Sequence, residues 1–275
     1  MTALRRVPAT AKINLALVVG PARVDGKHEL ATVFQRIDLA DRIELHEAPS
    51  LRVDGFAEDT LVRAALEAVA DAAGVDPRWR ARIHKRIPVA GGLGGGSSDA
   101  AAALRLANGM LPEPLPPERL HELARGLGAD VPFFLAHGPQ LGRGDGTDLS
   151  PLDLPQDYVV LLLLPHGAEK ASTGAVYAAF DARNGAAGFD ERSDALLEML
   201  GRVRRARDLA ELPQNDLASS PLAAELRALG AFRADVSGAG PTVYGLFVHR
   251  RDAEAAARAL KPRGRVWITV PAWYG

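Results

Sequence analysis

The chain has 275 residues, a formal net charge of −1, 47% hydrophobic and 24% charged residues, and no cysteine. That is enough chain for one large domain or two modest ones with a full core, and the near-neutral balance argues against a nucleic acid or an anionic membrane surface as partner. Without cysteine there is no disulfide, thiolate nucleophile or Cys-ligated metal, which fits a reducing, cytoplasmic compartment.

Arg5 and Arg6 precede an apolar stretch as in an export signal, but Lys12 and Asn14 interrupt it before a continuous apolar core can form. The longest apolar run, residues 158–164, is too short to span a bilayer. Residues 11–19 alternate, which predicts a first strand with Ile13, Leu15, Leu17 and Val19 on one face. Lys12, Asn14, Ala16 and Val18 then share the other face, so Lys12 and Asn14 project together. After a turn over residues 20–26, strand-like segments follow at 30–39 and 42–46. Asp59 or Thr60 caps a helix whose apolar stripe includes Leu61, Ala65 and Val69 and which stops at Gly74. Residues 80–87 read as another strand.

Residues 88–104 read PVAGGLGGGSSDAAAAL, and five of the six residues 91–96 are glycine. Such a loop lets a ligand approach the main chain closely. Ser97, Ser98 and Asp99 are suitable N-caps for the alanine-rich helix expected at 100–107. A strand, a glycine loop and a helix N-terminus in that order present free N–H groups and the positive end of a helix dipole, which suit phosphate oxygens. A flexible linker is the competing reading, disfavoured by the structured elements on both sides. No lysine follows the last glycine and no GxGxxG occurs there, so backbone and dipole would hold a triphosphate without a loop lysine.

A short helix at 120–127 stops at Gly128, and the sequence GADVP sets Asp130 in a tight turn before the apolar run 131–135. A lone Asp there is either a turn former or a functional carboxylate. Residues 138–148 read as a glycine-punctuated hairpin or loop, and the apolar strand 158–165 opens the second half. Helices are expected at 172–180, 194–203, 221–229 and 253–260, the third with Ser220 as cap and Pro221 at its first position. Between the last two, residues 234–247 hold two apolar strands around Ser237-Gly238-Ala239-Gly240, equally a hairpin turn or a ligand loop. Residues 185–188 are the expected mobile tip. Strands and helices of mixed order indicate an α+β class, and no motif speaks to the oligomeric state.

The segment PVAGGLGGGSSDAA resembles the phosphate loop of the GHMP kinase superfamily, the small-molecule kinases that include galactokinase, homoserine kinase and mevalonate kinase. Within that group it is most similar to the 4-diphosphocytidyl-2-C-methyl-D-erythritol kinase family of the non-mevalonate isoprenoid route. DGKHELATVFQRIDLAD at 25–41, IHKRIP at 83–88 and VSGAGPTVYG at 236–245 extend the resemblance over nearly the whole chain. It implies a two-domain fold: an N-terminal ATP-binding domain at 1–152, resembling ribosomal-protein folds, and a C-terminal α+β substrate domain at 153–275, with the cleft between them. It also implies ATP and Mg²⁺, the metal held mainly through phosphates without a named protein ligand, and a cytidyl small molecule whose 2-hydroxyl is phosphorylated. Other kinases of the superfamily, with another acceptor, and a nucleotide-responsive module without turnover are the alternatives.

Position by position, the resemblance assigns Asp130 as the base that takes the hydroxyl proton and Lys12 as the group that stabilises charge on the γ-phosphate. ATP would be held by Lys85, near the adenine, and by Pro88-Val89-Ala90-Gly91-Gly92-Leu93-Gly94-Gly95-Gly96-Ser97-Ser98-Asp99. His28 would read the cytosine edge, Tyr177 would stack on the base, Asn14 would touch the methylerythritol end, and Ser237, Gly238, Ala239 and Gly240 would line the diphosphate. Lys27 stands where the family usually has Tyr; its stem is expected to cover the base while its ammonium reaches the diphosphate. Thr60 and Thr147 depart from the family's usual Asn and Glu.

Overall fold

The computed structural model describes residues 4–59, 61–168 and 172–272. Two long strands set its frame. β1 (Arg5–Ala22) and β2 (His28–Glu47) run antiparallel from Arg5 opposite Leu45 to Ala22 opposite His28. The other edge of β2 is shared: β5 (Gln140–Gly144) pairs with its first part and β4 (Trp79–His84) with its last. β3 (Arg52–Asp54) extends the sheet beyond β4, and β6 (Asp148–Pro151) extends it beyond β5. A segment from far downstream fills the gap between β4 and β5. There the Asp38 N–H donates to the Val270 carbonyl at 2.8 Å and the Ala272 N–H donates to the Arg36 carbonyl at 3.1 Å.

The register of β1 shifts between Asn14 and Ala16, so Leu15 is an extra residue on that strand. A one-residue slip moves every later side chain to the opposite face. Ala11, Ile13, Leu15, Ala16 and Val18 therefore share one core, while Leu17 and Val19 pack in another. The strict alternation expected from sequence is corrected here, because the bulge carries Leu17 to the side of Lys12 and Asn14, where all three line one cavity.

Helices α1 (Leu61–Ala73), α2 (Gly95–Asn108) and α3 (Pro117–Leu127) cover the first sheet around Ile43, Leu45, Ala81 and Ile83. Asp59 caps α1, both carboxylate oxygens accepting from the Val62 N–H at 3.1 Å; Thr60, the other candidate cap, lies outside the described residues. The start of α2 corrects the sequence reading. It begins at Gly95, with Gly94 as a left-handed N-cap (φ 70°) and no side-chain cap, so Ser97, Ser98 and Asp99 lie inside its first turns. Ala100 to Ala103 are all fully buried, and their small side chains allow the helix to be packed on all sides.

The second sheet is antiparallel, in the order β10 (Gly264–Thr269), β7 (Val159–Pro165), β9 (Val243–Phe247), β8 (Arg233–Val236). Its strand β7 is apolar throughout because both faces are buried. Val160 and Leu162 pack with Ile13 and Leu15 of the first sheet, and Leu161 and Leu163 pack under α6 (Pro221–Ala228) and α7 (Arg250–Leu260). Helices α4 (Thr173–Ala182) and α5 (Phe189–Arg202) complete the second half. The turn between them, expected to be mobile, is hydrogen-bonded: the Gly185 N–H donates to the Phe180 carbonyl at 3.0 Å and Arg192 Nη2 donates to the Gly185 carbonyl at 2.9 Å. Among the described residues no helix is long and apolar enough to cross a membrane.

The two halves also meet backbone to backbone. A Cβ on Gly92 (φ 79°) would stand 2.4 Å from the Ser237 carbonyl oxygen and 2.8 Å from that of Gly240. Gly92→Ala is therefore expected to destabilise the chain by about 1–3 kcal/mol through the backbone shift it forces, measured as a lower midpoint in chemical denaturation.

Candidate active site

A cavity of about 890 Å³ lies between the glycine loop, the facing surface of β1 and β2, and helix α4. At its centre Lys12, 4% exposed, donates from Nζ to Asn14 Oδ1 at 2.7 Å and stands 3.4 Å from Asp130 Oδ2. Asn14 is itself oriented by a relay. Its Nδ2 donates to Thr32 Oγ1 at 2.8 Å, and the Thr32 hydroxyl donates to the Ala16 carbonyl at 2.8 Å. With the amide nitrogen committed, Oδ1 faces the ammonium. The Phe34 ring lies 5.5 Å from Lys12 Nζ, a cation–π distance.

Asp130 follows Gly128, which ends α3, and precedes the short 3₁₀ helix Pro132–Leu135. That segment is pinned from β2. Arg36 lies directly opposite Lys12 in the ladder and donates Nη2 to the carbonyls of Phe133 at 3.0 Å and Ala136 at 2.6 Å. Its guanidinium also faces the rings of Phe133 and Phe134. Burial, with the charge of Arg105 adding to it, pushes the Arg36 pKa down to about 10, so the group remains charged at neutral pH.

The glycine loop enters from the other side. The Lys12 N–H donates to the Leu93 carbonyl at 2.9 Å, which ties β1 to the loop. At the uncapped start of α2 the N–H groups of Gly95, Gly96 and Ser97 have no side-chain acceptor among the described residues, the arrangement that binds phosphate. The Ser237–Gly240 loop closes the centre: Ser237 Oγ donates to the Gly92 carbonyl at 3.0 Å, and a Cβ on Gly238 would stand 3.4 Å from Lys12 Nζ.

Beside α2, Lys85 is held between two buried carboxylates, 2.5 Å from Asp41 Oδ2 and 2.8 Å from Asp99 Oδ2. Asp41 Oδ1 also accepts the N–H groups of Arg86 and Ile87, whereas Asp99 Oδ1 is buried without a partner among the described residues. Burial and then the charge of Asp41 push Asp99 up to about 7, against the pull of Lys85. Burial opposes the charge on Lys85, but the two carboxylates outweigh it and raise its pKa.

At the opposite end His28 Nε2 lies 2.9 Å from Asp181 Oδ1, and the Tyr177 ring lies against the imidazole with centroids 4.6 Å apart. Burial, helped by the Asp130 charge, pushes the Tyr177 phenol up to about 12. Lys27 Nζ is engaged by Asp145 at 2.5 Å. Although burial works against it, Asp145 is held down to about 2 by that ammonium and by the hydroxyl and N–H of Thr147.

Comparison with known proteins decides the family. Residues 60–138 match the GHMP kinases N terminal domain, and residues 203–265 match the GHMP kinases C terminal domain. The 4-diphosphocytidyl-2-C-methyl-D-erythritol kinase of Chlorobium phaeobacteroides is 36% identical, covering 96% of this chain and 96% of that one. The enzyme of the same name from Salinispora tropica is 39% identical over 93% of this chain and 87% of its own. The chain belongs to this GHMP kinase family. A crystal structure of 4-(cytidine 5'-diphospho)-2C-methyl-D-erythritol kinase superposes with a TM-score of 0.79 at 34% identity, covering 98% of this chain and 99% of that one. Mevalonate kinase of Methanococcus jannaschii, at 14% identity and a TM-score of 0.78, shares the fold.

Of the residues expected to hold ATP in this kinase family, Lys85, residues 88–97 and Asp99 line the cavity, while Ser98 is buried away from it. Of those expected to hold the acceptor, Asn14, Lys27, His28, Asp130, Tyr177, Gly238 and Ala239 line it; Ser237 and Gly240 do not, and instead pack against the glycine loop. Thr147 holds Asp145 and does not line the cavity. Sequence reasoning missed Thr32, Phe34, Asp41, Asp145 and Asp181. The first two alternate with His28 and Leu30 along β2, a period-two signal present in the sequence, while the three carboxylates carry no local mark.

The Asp41–Lys85–Asp99 cluster makes a testable statement about pH. A carboxyl whose folded pKa of about 7 exceeds its unfolded value near 3.9 binds more protons folded than unfolded between those limits. Its contribution to stability is full below the unfolded value and is lost as pH rises through about 7. Asp99→Asn is expected to remove this slope and raise the melting temperature more at pH 8 than at pH 5, as read by calorimetry of the ligand-free protein.

Proposed function

We propose that this chain phosphorylates the 2-hydroxyl of 4-diphosphocytidyl-2-C-methyl-D-erythritol with ATP, in the non-mevalonate route to isoprenoid precursors. One observation carries the reading: Lys12 Nζ and Asp130 Oδ2 stand 3.4 Å apart in a cavity bounded by the glycine loop at one end and His28 at the other. The triphosphate rests on residues 88–97 and the N-terminus of α2, with the adenine toward Lys85. The cytidyl acceptor takes the opposite end, its base against His28 and Tyr177 and its methylerythritol toward Asn14. The names of the relatives support this choice of acceptor.

Phosphoryl transfer asks the protein mainly for position and charge. As the acceptor oxygen attacks the γ-phosphorus, its proton passes to the Asp130 carboxylate. The bond to the β,γ-bridging oxygen breaks and ADP leaves with that electron pair. The Lys12 ammonium and the α2 N-terminus face the charge on the transferring group. The side chain of Asp130 is 35% exposed, which leaves a route for the proton to water after transfer.

Among the described residues no group of three or more His, Asp or Glu side chains could hold a metal ion. Mg²⁺ that arrives on nucleotide phosphates keeps several waters and needs few protein ligands; Asp99, which lines the cavity beside the loop, would be the candidate to hold one of those waters. When bound, the ion would neutralise phosphate charge. We further propose the domain division after residue 152, in the connection 152–158 between β6 and β7 that contains neither helix nor strand.

Mass detection of the phosphorylated cytidyl product with ATP and Mg²⁺ tests the reading. The parent is expected to form product, with kcat/KM lower by about 10²–10³ in Lys12→Ala and about 10²–10⁴ in Asp130→Asn. A parent that phosphorylates mevalonate or homoserine but not the cytidyl compound defeats the acceptor assignment. Because the Lys27 ammonium is held by Asp145 in place of the diphosphate contact expected from the sequence, Lys27→Tyr is expected to lower KM for the cytidyl acceptor by about tenfold through added stacking, with kcat unchanged.

A further inference from the structure

Asp181 has no role in the reading above, yet it is the hydrogen-bond partner of the His28 imidazole, Oδ1 to Nε2 at 2.9 Å. An ionised carboxylate only accepts, so the proton in that bond belongs to Nε2. A neutral ring then keeps Nδ1 as a bare lone pair. Among the described residues Nδ1 has no hydrogen-bond partner. The ring is also held in place: His28 is 8% exposed, Tyr177 covers one face at 4.6 Å, and Phe180 meets it edge-on at 6.1 Å with planes at 82°. Tyr177 and Asp181 are one helical turn apart on α4, so a single helix face supplies both the aromatic cover and the acceptor that fixes the tautomer.

We propose that Asp181 determines base specificity: by holding the His28 proton on Nε2 it makes Nδ1 an acceptor that selects a pyrimidine with an amino group at position 4 over one with a carbonyl there. The inference rests on the proposed function, in which the His28 end of the cavity takes the base of the acceptor. An amino group donates to the bare nitrogen. A carbonyl would set lone pair against lone pair and leave two buried acceptors unsatisfied, the arrangement by which a polar site rejects a near-isostere. Asp181 acts through His28 and is a positioning residue. Its carboxylate is half exposed, 50%, so substitution there leaves the core untouched.

The test compares full-length wild type, Asp181→Asn and Asp181→Glu with the cytidyl acceptor and its uridyl counterpart, and records the ¹⁵N spectrum of the His28 ring in the ligand-free protein. An asparagine in place of Asp181 can accept from or donate to Nε2, so it no longer dictates the tautomer. Wild type is expected to prefer the cytidyl acceptor by about 10²-fold or more in kcat/KM. Asp181→Asn is expected to raise KM for that acceptor about tenfold with kcat within about twofold, and to cut the preference to a few-fold. Asp181→Glu, which keeps an acceptor-only group, is expected to retain most of the preference. The spectrum should show a protonated Nε2 and a bare Nδ1 in wild type, and a mixture in Asp181→Asn.

A wild-type ring protonated on Nδ1, or an unchanged base preference in Asp181→Asn, overturns the inference while leaving the cytidyl kinase reading in place. A wild type that phosphorylates neither acceptor overturns both.

Discussion

A buried ammonium persists only where other groups replace the water it has lost, and Lys12 is 4% exposed. Asn14, Asp130 and the face of Phe34 supply that replacement from three different segments. Two of the three are fixed in turn by something that does not touch the lysine. Thr32 fixes the amide of Asn14, and Arg36 fixes the carbonyls that follow Asp130. The loop that would carry phosphate is tied to the same residue through its main chain, because the Lys12 N–H donates to Leu93. The bulge at Leu15 lets β1 serve two purposes, with a polar stretch over the cavity and an apolar stretch sealing the two halves.

The charges around the cavity are sorted by what they already hold. Lys85 is held by both Asp41 and Asp99, and Lys27 is committed to Asp145. Among the described residues Lys12 has a single carboxylate partner, at 3.4 Å. A cation paired so loosely retains more of its field for an incoming phosphate than one already clamped. The cost falls on Asp99, which is kept in a setting that favours its neutral form, in line with the general finding that sites carry perturbed groups a purely structural core would not keep.

Much of the fold was legible because its signals were local. The apolar strand β7, the stop at Gly128 and the cap at Asp59 each follow from a few adjacent residues, and the structure has all three. What escaped was set by partners distant in sequence. The bulge depends on how β2 pairs with β1, and alternation read along β1 alone assigned Leu17 and Val19 to the wrong face. Three good capping side chains pointed to a helix start near Ser97, but Gly94 in a left-handed conformation starts it earlier and leaves the first N–H groups open. Within the cavity, the glycine loop, Lys12 and Asp130 stood out by motif, whereas Asp41 and Asp181 are ordinary acidic residues until Lys85 and His28 are brought against them. A carboxylate's role is defined by its neighbour, and that neighbour lies 44 residues away for Asp41 and 153 for Asp181.

The segment around Val270–Ala272 occupies the edge of β2 left open between β4 and β5. It pairs with Arg36 and Asp38, on either side of Ile37, and Arg36 is the residue that braces the turn after Asp130. A domain that emerges first from the ribosome usually folds first. Here that order is incomplete: the edge beside Arg36 stays unpaired until translation has passed Ala272, so the first sheet is completed only after the strands of the second have been made.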